Sequence, residues 1–204
     1  MTALYYIESG REMISKPIEA FSHFIATHPV LLLSARKGRA NTVSPVLWYM
    51  PIGMDPPMVA VSLKPSSQSF HFVRESGDFI LGVVGESLVK ETHFCGVHSG
   101  RDVDKLRVLN LTTTRAKTVT PLMITECLVQ IECRVRDIIP GPGRPLITAE
   151  VLYVGVHEQI DQIRWQPEEF LLYYMGGNRY RVGRKILDMS DVRPGYVPPD
   201  AYLR

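Results

Sequence analysis

The stretch Cys127 to Arg136 alternates so regularly that only an extended chain accommodates it. Cys127, Val129, Ile131, Cys133 and Val135 fall on one side, and Gln130, Glu132, Arg134 and Arg136, with Leu128, on the other. Successive side chains of a strand point to opposite faces, so a period of two separates one apolar face from one polar face. Ile139-Pro-Gly-Pro-Gly-Arg144 then breaks the pattern with turn residues, and Pro145 to His157 resumes as a second strand. Strand, turn and strand predict an antiparallel hairpin.

The rest of the chain reads as more strands punctuated by short helices. Val30 to Leu33, Val43 to Met50 and Met58 to Leu63 are β-favouring runs bounded by Gly, Pro, Asn and Asp, with Asp55-Pro56-Pro57 between the last two. Asp78 to Val84 has the composition of a buried strand. Ser15 to His28 predicts an amphipathic helix: Ser15 caps it, Pro17 suits its first turn, and Ile14, Ile18, Phe21 and Ile25 recur at helical spacing. Ser66 to Ser76 predicts a helix with a serine-rich start, and Glu86 to Cys95 and Asp102 to Val108 predict two shorter ones. Many short strands with few helices favour a mainly β, Greek-key barrel over a βαβ sheet. Residues 1–165 form the expected barrel domain. From Gln166 the alternation is lost, and residues 166–204 are expected to extend over the barrel or a partner subunit.

Composition narrows the partners. The 204 residues suit one domain, and 45% hydrophobic against 22% charged residues excludes wholesale disorder. Lys and Arg number 23 against 21 Asp and Glu, with no dense basic run, so nucleic acid is disfavoured as a partner and small molecules or proteins are favoured. The first residues lack a basic start followed by an apolar stretch, and no apolar run is long enough to cross a bilayer. Three cysteines argue against a disulfide framework. Cys127 and Cys133, six residues apart on one strand, stand roughly 20 Å apart, too far to bridge. Free thiols suit a reducing compartment, and the expected location is the cytoplasm.

Familiar catalytic signatures are missing. The chain has no phosphate-binding Walker loop, no dinucleotide glycine fingerprint, no Cys-x-x-Cys, no His-Glu-x-x-His and no Gly-x-Ser-x-Gly. His93 and His98 lie five apart, off the spacing of a helical metal pair, and no metal site is expected. No side chain is singled out as catalytic. What stands out are hydroxyl-rich strand ends. Asn41-Thr-Val-Ser-Pro45 starts a strand, and Ser62-Leu-Lys-Pro-Ser-Ser-Gln-Ser69 leaves a strand and opens a helix. Free N–H groups at a helix start, serine hydroxyls and a nearby lysine suit a phosphate dianion. The same serines also read as simple helix caps.

These segments resemble, in order and over roughly Phe24 to Gln159, the flavin reductase-like or flavoredoxin-like FMN-binding split barrels. Asn41-Thr-Val-Ser-Pro-Val-Leu-Trp48 is similar to the family's Asn-x-x-(Ser/Ala)-Pro segment beside the flavin, and Asp55-Pro-Pro-Met-Val-Ala-Val-Ser62 to its Asp-Pro-Pro strand. Lys64 to Phe70 sits where the family has its phosphate loop. Gly77-Asp-Phe-Ile80, Asp102-Val-Asp-Lys105, and Pro121-Leu-Met-Ile-Thr-Glu-Cys127 with Ile131-Glu-Cys133 resemble three further elements. Two departures are visible: Gly82 replaces a frequent Asn, and Gln68-Ser69 replaces a more usual Asp-Thr.

The resemblance implies a split β-barrel with FMN as cofactor, a homodimer, and a flavin that does the redox chemistry while the protein binds it. It implies Asn41, Thr42, Val43 and Ser44 along the isoalloxazine, largely through backbone groups, and Ser62, Lys64, Ser67 and Ser69 about the ribityl chain and phosphate. His98 and Arg101 reach the flavin or an incoming nicotinamide, or else belong to a solvated loop. Gly176-Gly-Asn-Arg-Tyr180 either closes over the site or is a turn. Glu126 and Glu132 are expected to be structural, paired with Arg134, Arg136 or Lys105, and Trp48 and Tyr49 to pack in the core rather than on the flavin. The implied activity is an NAD(P)H-dependent FMN oxidoreductase. The alternative is an electron-transfer flavoprotein with no nicotinamide site, and in either case an electron-acceptor protein is a conceivable partner.

Overall fold

In the computed structural model, residues 17–18, 21–26, 28–157, 170–176 and 178–183 are described. In chain order the elements are α1 (Phe21–Ile25), β1 (Leu31–Lys37), β2 (Ala40–Val46), β3 (Tyr49–Met54), β4 (Pro57–Ser62), α2 (Gln68–Ser76) and β5 (Asp78–Val83). There follow a 3₁₀ turn (Glu86–Leu88), α3 (Val89–Val97), α4 (Lys105–Val108), β6 (Thr113–Arg115), β7 (Leu122–Ile124), β8 (Val129–Ile139), β9 (Leu146–Val156), β10 (Leu172–Tyr174) and β11 (Tyr180–Val182).

Seven strands form one antiparallel sheet in the order β2-β1-β5-β8-β9-β4-β3. Its two edge strands, β2 and β3, are consecutive in the chain and separated only by Leu47 and Trp48. The three steps from Val46 to Tyr49 span at most about 11 Å, so the edges must come together at this corner. They carry no ladder between them, and the rolled sheet is therefore a barrel with an unpaired seam. The expected strand Val43 to Met50 is in fact these two strands, divided where the chain changes edges.

The rolled sheet has two cores. Inside lie Leu31, Leu33 and Ala35 of β1, Phe79 and Leu81 of β5, Val61, Ile147 and Cys133, with Phe70, Phe72 and Val73 of α2. Outside, Val30, Leu32, Val43, Val84, Cys95, Leu106, Ile124, Cys127 and Leu172 pack together. β1 thus sends alternate side chains into both cores, which is why Val30 to Leu33 is continuously apolar rather than alternating. The expected hairpin is β8–β9, with irregular register at Glu132/Cys133 and Val135/Asp137.

α2 is capped as its sequence predicts. The Ser67 Oγ accepts from the Phe70 amide at 3.1 Å, and Gly77 ends the helix at φ 73°, a conformation open to glycine. Of the helix expected from Ser15 to His28, α1 is the described portion; residues 1–16, 19–20 and 27 lie outside the described residues, and Ile18, Phe21, Phe24 and Ile25 are exposed. Of the C-terminal segment, β10 and β11 form a hairpin whose Leu172 is fully buried, bridged through Pro29 to Tyr173 and Gly85 to Leu171. Residues 158–169, 177 and 184–204 lie outside the described residues.

The carboxylates are structural, but with partners other than those expected. Glu132 is fully buried and accepts from the Lys117 amide at 2.7 Å and from the amide and hydroxyl of Thr118 at 2.6 Å each. Glu126 accepts from the Thr112 amide at 2.7 Å. Arg134 pairs instead with Asp78, and Arg136 with Glu150. The segment joining β6 to β7 folds over the face of β8 that alternation alone assigns to solvent, and its backbone donors occupy Glu132.

Candidate functional site

A cleft of about 780 Å³ runs along β2 between α2 and α3, within the range of small-molecule sites. One wall is the serine-rich start of α2. Ser67 is both a cap and a tie: its Oγ accepts from Phe70 and donates to the Lys64 carbonyl at 2.8 Å. The Ser44 and Ser69 hydroxyls lie 2.6 Å apart and join β2 to the helix. The cap satisfies one first-turn amide and leaves those of Gln68 and Ser69 without intrahelical partners. Ser62, Lys64, Ser66 and Gln68 complete this wall.

Arg144 stands at the same end. It lies two residues before Leu146, which pairs with Ser62, and its guanidinium sits 4.4 Å from the centroid of the Trp48 ring. Both residues line the cleft. Two cations, several hydroxyls and free helix amides thus converge on one end, as a phosphate requires.

The other wall is α3 with the loop after it. The His98 ring stacks on Phe94 at 3.8 Å and its Nδ1 lies 3.1 Å from the Phe94 carbonyl oxygen. His93 Nδ1 lies 3.3 Å from the Tyr180 hydroxyl, which ties α3 to β11. Burial, then the nearby Tyr174, pushes the Tyr180 phenol above its usual range. Tyr174 and Tyr180 both line the cleft, so the hairpin that contains Gly176 forms part of its wall.

Thr42 and Lys105 both line the cleft and are buried. The Lys105 ammonium donates to the Val43 carbonyl at 3.0 Å and to the Cys95 carbonyl at 2.6 Å. Burial pulls its pKa down. The Thr42 Oγ1 is buried with no hydrogen-bond partner among the described residues. A side chain at residue 100 would place its Cβ 2.4 Å from that hydroxyl, so Gly100 leaves it room.

Of the residues expected at the site, Thr42, Ser44, Ser62, Lys64, Ser67, Ser69 and His98 line the cleft. Three do not. Asn41 turns its amide to the Arg39 carbonyl, 3.3 Å away on the β1–β2 hairpin. Val43 faces the outer core by strand alternation, and only its carbonyl reaches toward the site, through Lys105. Arg101 is exposed in the loop beyond Gly100, its amide bonded to the Ser99 hydroxyl. Trp48, expected in the core, stands on the cleft wall instead, whereas Tyr49 packs against the inner core and donates to the Pro29 carbonyl at 2.7 Å. Sequence reasoning misses Arg144, His93 and Lys105 as residues of the cleft. Lys105 follows Asp104, whose carboxylate caps α4 by accepting from the Arg107 amide at 3.2 Å; only the Asp-Lys pair ahead of an apolar residue hints at an inward lysine. Among the described residues no three His, Cys, Asp or Glu side chains converge as metal ligands.

The chain is similar to an uncharacterized protein of Archaeoglobus fulgidus, 29% identical over 107 residues that make up 52% of this chain and 60% of that one. It spans about three fifths of the length of the curated relatives it first matches. Among solved structures it is similar in fold to flavoredoxin from Methanosarcina acetivorans, with a TM-score of 0.77 and 24% identity over 95% of this chain and 100% of that one. It is likewise similar to an FMN-binding protein from Thermus thermophilus, with a TM-score of 0.75 and 19% identity over 88% and 99% of the two chains. The model of the flavin reductase like domain matches residues 23–183, most of the sequence, and the chain therefore belongs to the flavin reductase-like family of split barrels.

Proposed function

We propose that this protein binds FMN in the cleft along β2 and works as an NAD(P)H-dependent flavin oxidoreductase. The observation that carries the reading is the phosphate-suited end of the cleft, where the start of α2, Lys64 and Arg144 line one wall. The free amides of Gln68 and Ser69, the hydroxyls of Ser66 and Ser69, and the cations Lys64 and Arg144 would hold the phosphate. Ser62 and Ser44 suit the ribityl hydroxyls, and Thr42 with the adjoining backbone suits the ring. When bound, the flavin supplies the two-electron chemistry. The protein's own residues orient it and, through Tyr174 and Tyr180, wall it from solvent on one side. The His98–Arg101 loop is the place we assign to the nicotinamide donor.

β3, an edge strand, exposes Met50, Ile52 and Met54. This apolar edge is the face we assign to a second copy in a homodimer, with residues 166–204 packed on the barrel or on that copy. Among the described residues no helix is long and apolar enough to cross a membrane, and the cytoplasm, where its three free thiols stay reduced, is the proposed location.

The test is direct. Purified protein is denatured, the released ligand identified, and the holoprotein titrated anaerobically with NADH and NADPH. Release of FMN and bleaching by either nucleotide is the expected result; a chain that takes up no added FMN overturns the reading. A second reading, an electron-transfer flavoprotein without a nicotinamide site, is favoured by the similarity to a structure named flavoredoxin. It predicts bleaching by dithionite but by neither nucleotide.

A further inference from the structure

A second concavity, of about 580 Å³, lies at the other end of α2 and, among the described residues, shares none of its lining with the cleft along β2. Its walls are the turn that ends β1, the last turn of α2 and the segment joining β6 to β7. From Gln68, at the first cleft, to Glu75, at this one, the helix rises about 10 Å. The two are separate sites.

Its charges do not balance. Arg36, Lys37 and Arg115 line it against one carboxylate, that of Glu75. Lys37 and Glu75 satisfy each other at 2.5 Å. Two guanidiniums are left without a carboxylate among the described residues. Arg36, half-buried, donates through Nε to the Gly38 carbonyl at 2.8 Å, which folds the side chain over its own turn and leaves its two NH2 groups for another acceptor. The Arg115 side chain has no hydrogen-bond or ion-pair partner among the described residues. Like charges gathered about one concavity favour an anion between them.

The walls that present these cations are tied to the sheet. The Ser34 Oγ donates to the Leu122 carbonyl at 2.8 Å and joins β1 to the start of β7. Just beyond Arg115, the amides of Lys117 and Thr118 are held by the buried carboxylate of Glu132, and the Thr118 carbonyl accepts from Arg134 at 3.1 Å. A wall held in this way is preorganised, and a ligand meets it without the cost of ordering a loop.

These groups describe the ligand. A guanidinium fork matches a carboxylate or a phosphate with parallel N–H donors. Ala116, Val119 and Leu122 add apolar surface beside the cations. Among the described residues no aromatic ring lines the cleft, so it offers a base or a flavin nothing to stack on. The volume suits a small molecule. We propose that this cleft is a second binding site, for a small aliphatic dianion, a dicarboxylate or a phosphate ester, held by Arg36 and Arg115. The ligand offsets the surplus positive charge and links β1 to the β6–β7 segment. It occupies the far end of α2 whether or not the cleft along β2 is filled.

The experiment titrates the full chain, labelled with nitrogen-15, with succinate and with glycerol 3-phosphate at constant ionic strength. Succinamide and glycerol serve as the uncharged counterparts, and backbone amide shifts are read by nuclear magnetic resonance. Saturable shifts at Lys37, Gly38, Ala116 and Thr120 are expected with at least one of the anions, at a Kd of about 1 mM or tighter, and with neither neutral compound. The tighter anion identifies the head group. Arg36→Gln and Arg115→Ser should each weaken binding about tenfold or more, as for a lost charged hydrogen bond. Shifts confined to Gln68 and Ser69 overturn the proposal and place the anion in the cleft along β2. So do shifts that never saturate, an equal response to the neutral compounds, or unchanged affinity in both variants. Should the variants fail to fold by circular dichroism, the positions of the wild-type shifts decide.

The titration is repeated with FMN in excess. Unchanged anion affinity is expected, and displacement of the anion by FMN means one shared site and overturns the proposal. If FMN itself shifts no amide, the cofactor reading falls and the anion result stands by itself.

Discussion

The Sγ of Cys127 fills the space in front of Gly82: a Cβ on that glycine would stand 2.6 Å from it. The thiol therefore occupies the room that any side chain at residue 82 would need. Gly82→Ala is expected to destabilise the fold by about 1–3 kcal/mol through overpacking. Cys127→Ala should relieve much of that cost in the double variant, a coupling that urea denaturation of the full cycle measures.

Ser67 separates capping from ligand binding. Ser67→Ala removes the acceptor for the Phe70 amide and should cost about 1 kcal/mol of stability. Ser67→Asp keeps the cap, and its charge suits a helix start, so stability should stay within about 0.5 kcal/mol of wild type. The same carboxylate repels a phosphate, and FMN affinity should drop by at least about tenfold. A fluorescence titration checks this; full affinity in Ser67→Asp would remove the phosphate from the start of α2.

Arg144 and Trp48 predict a difference between two ligands. Arg144→Ala should weaken FMN by about 1.5–3 kcal/mol, as for a lost charged hydrogen bond, and leave riboflavin, which lacks the phosphate, nearly unaffected. FMN should quench Trp48 fluorescence, and Trp48→Phe should abolish that component.

Four buried acids predict alkaline weakening. Desolvation pushes Cys95 from the usual 9.0 to about 11, Cys127 and Cys133 to about 12, and the Tyr49 phenol from 10.0 to about 12. With raised folded values, the native chain keeps protons that the unfolded chain releases. Their contribution is complete below about pH 9 and is lost as pH climbs to about 12. Lys105, lowered from 10.5, acts in the opposite sense but is one group against four. The urea midpoint should hold up to pH 9 and fall beyond it, with a shallower fall in Cys133→Ala.

Local signals are the legible ones. Asp78 to Val84, the hairpin after Cys127 and the serine-started helix emerge as β5, β8–β9 and α2, because composition, period and cap chemistry act over a few residues. Long-range relationships are not legible. Nothing within Val43 to Met50 announces that the chain leaves one sheet edge and joins the other. Alternation places Glu132 in solvent because the backbone that covers it arrives from residues 117–118. The site divides the same way: hydroxyls at strand and helix ends are visible in the sequence, whereas Asn41 is drawn off by its own hairpin and Arg144 and Lys105 are brought in by pairing and packing across the fold.

β1 donates Leu31, Leu33 and Ala35 to one core and Leu32 to the other. Neither layer can melt while its neighbour survives, so the amides of this strand should exchange with deuterium only through global opening. The floor on which Thr42 and Ser44 stand is hydrogen-bonded to that strand throughout its length. That floor therefore keeps its shape whether or not the cleft is filled.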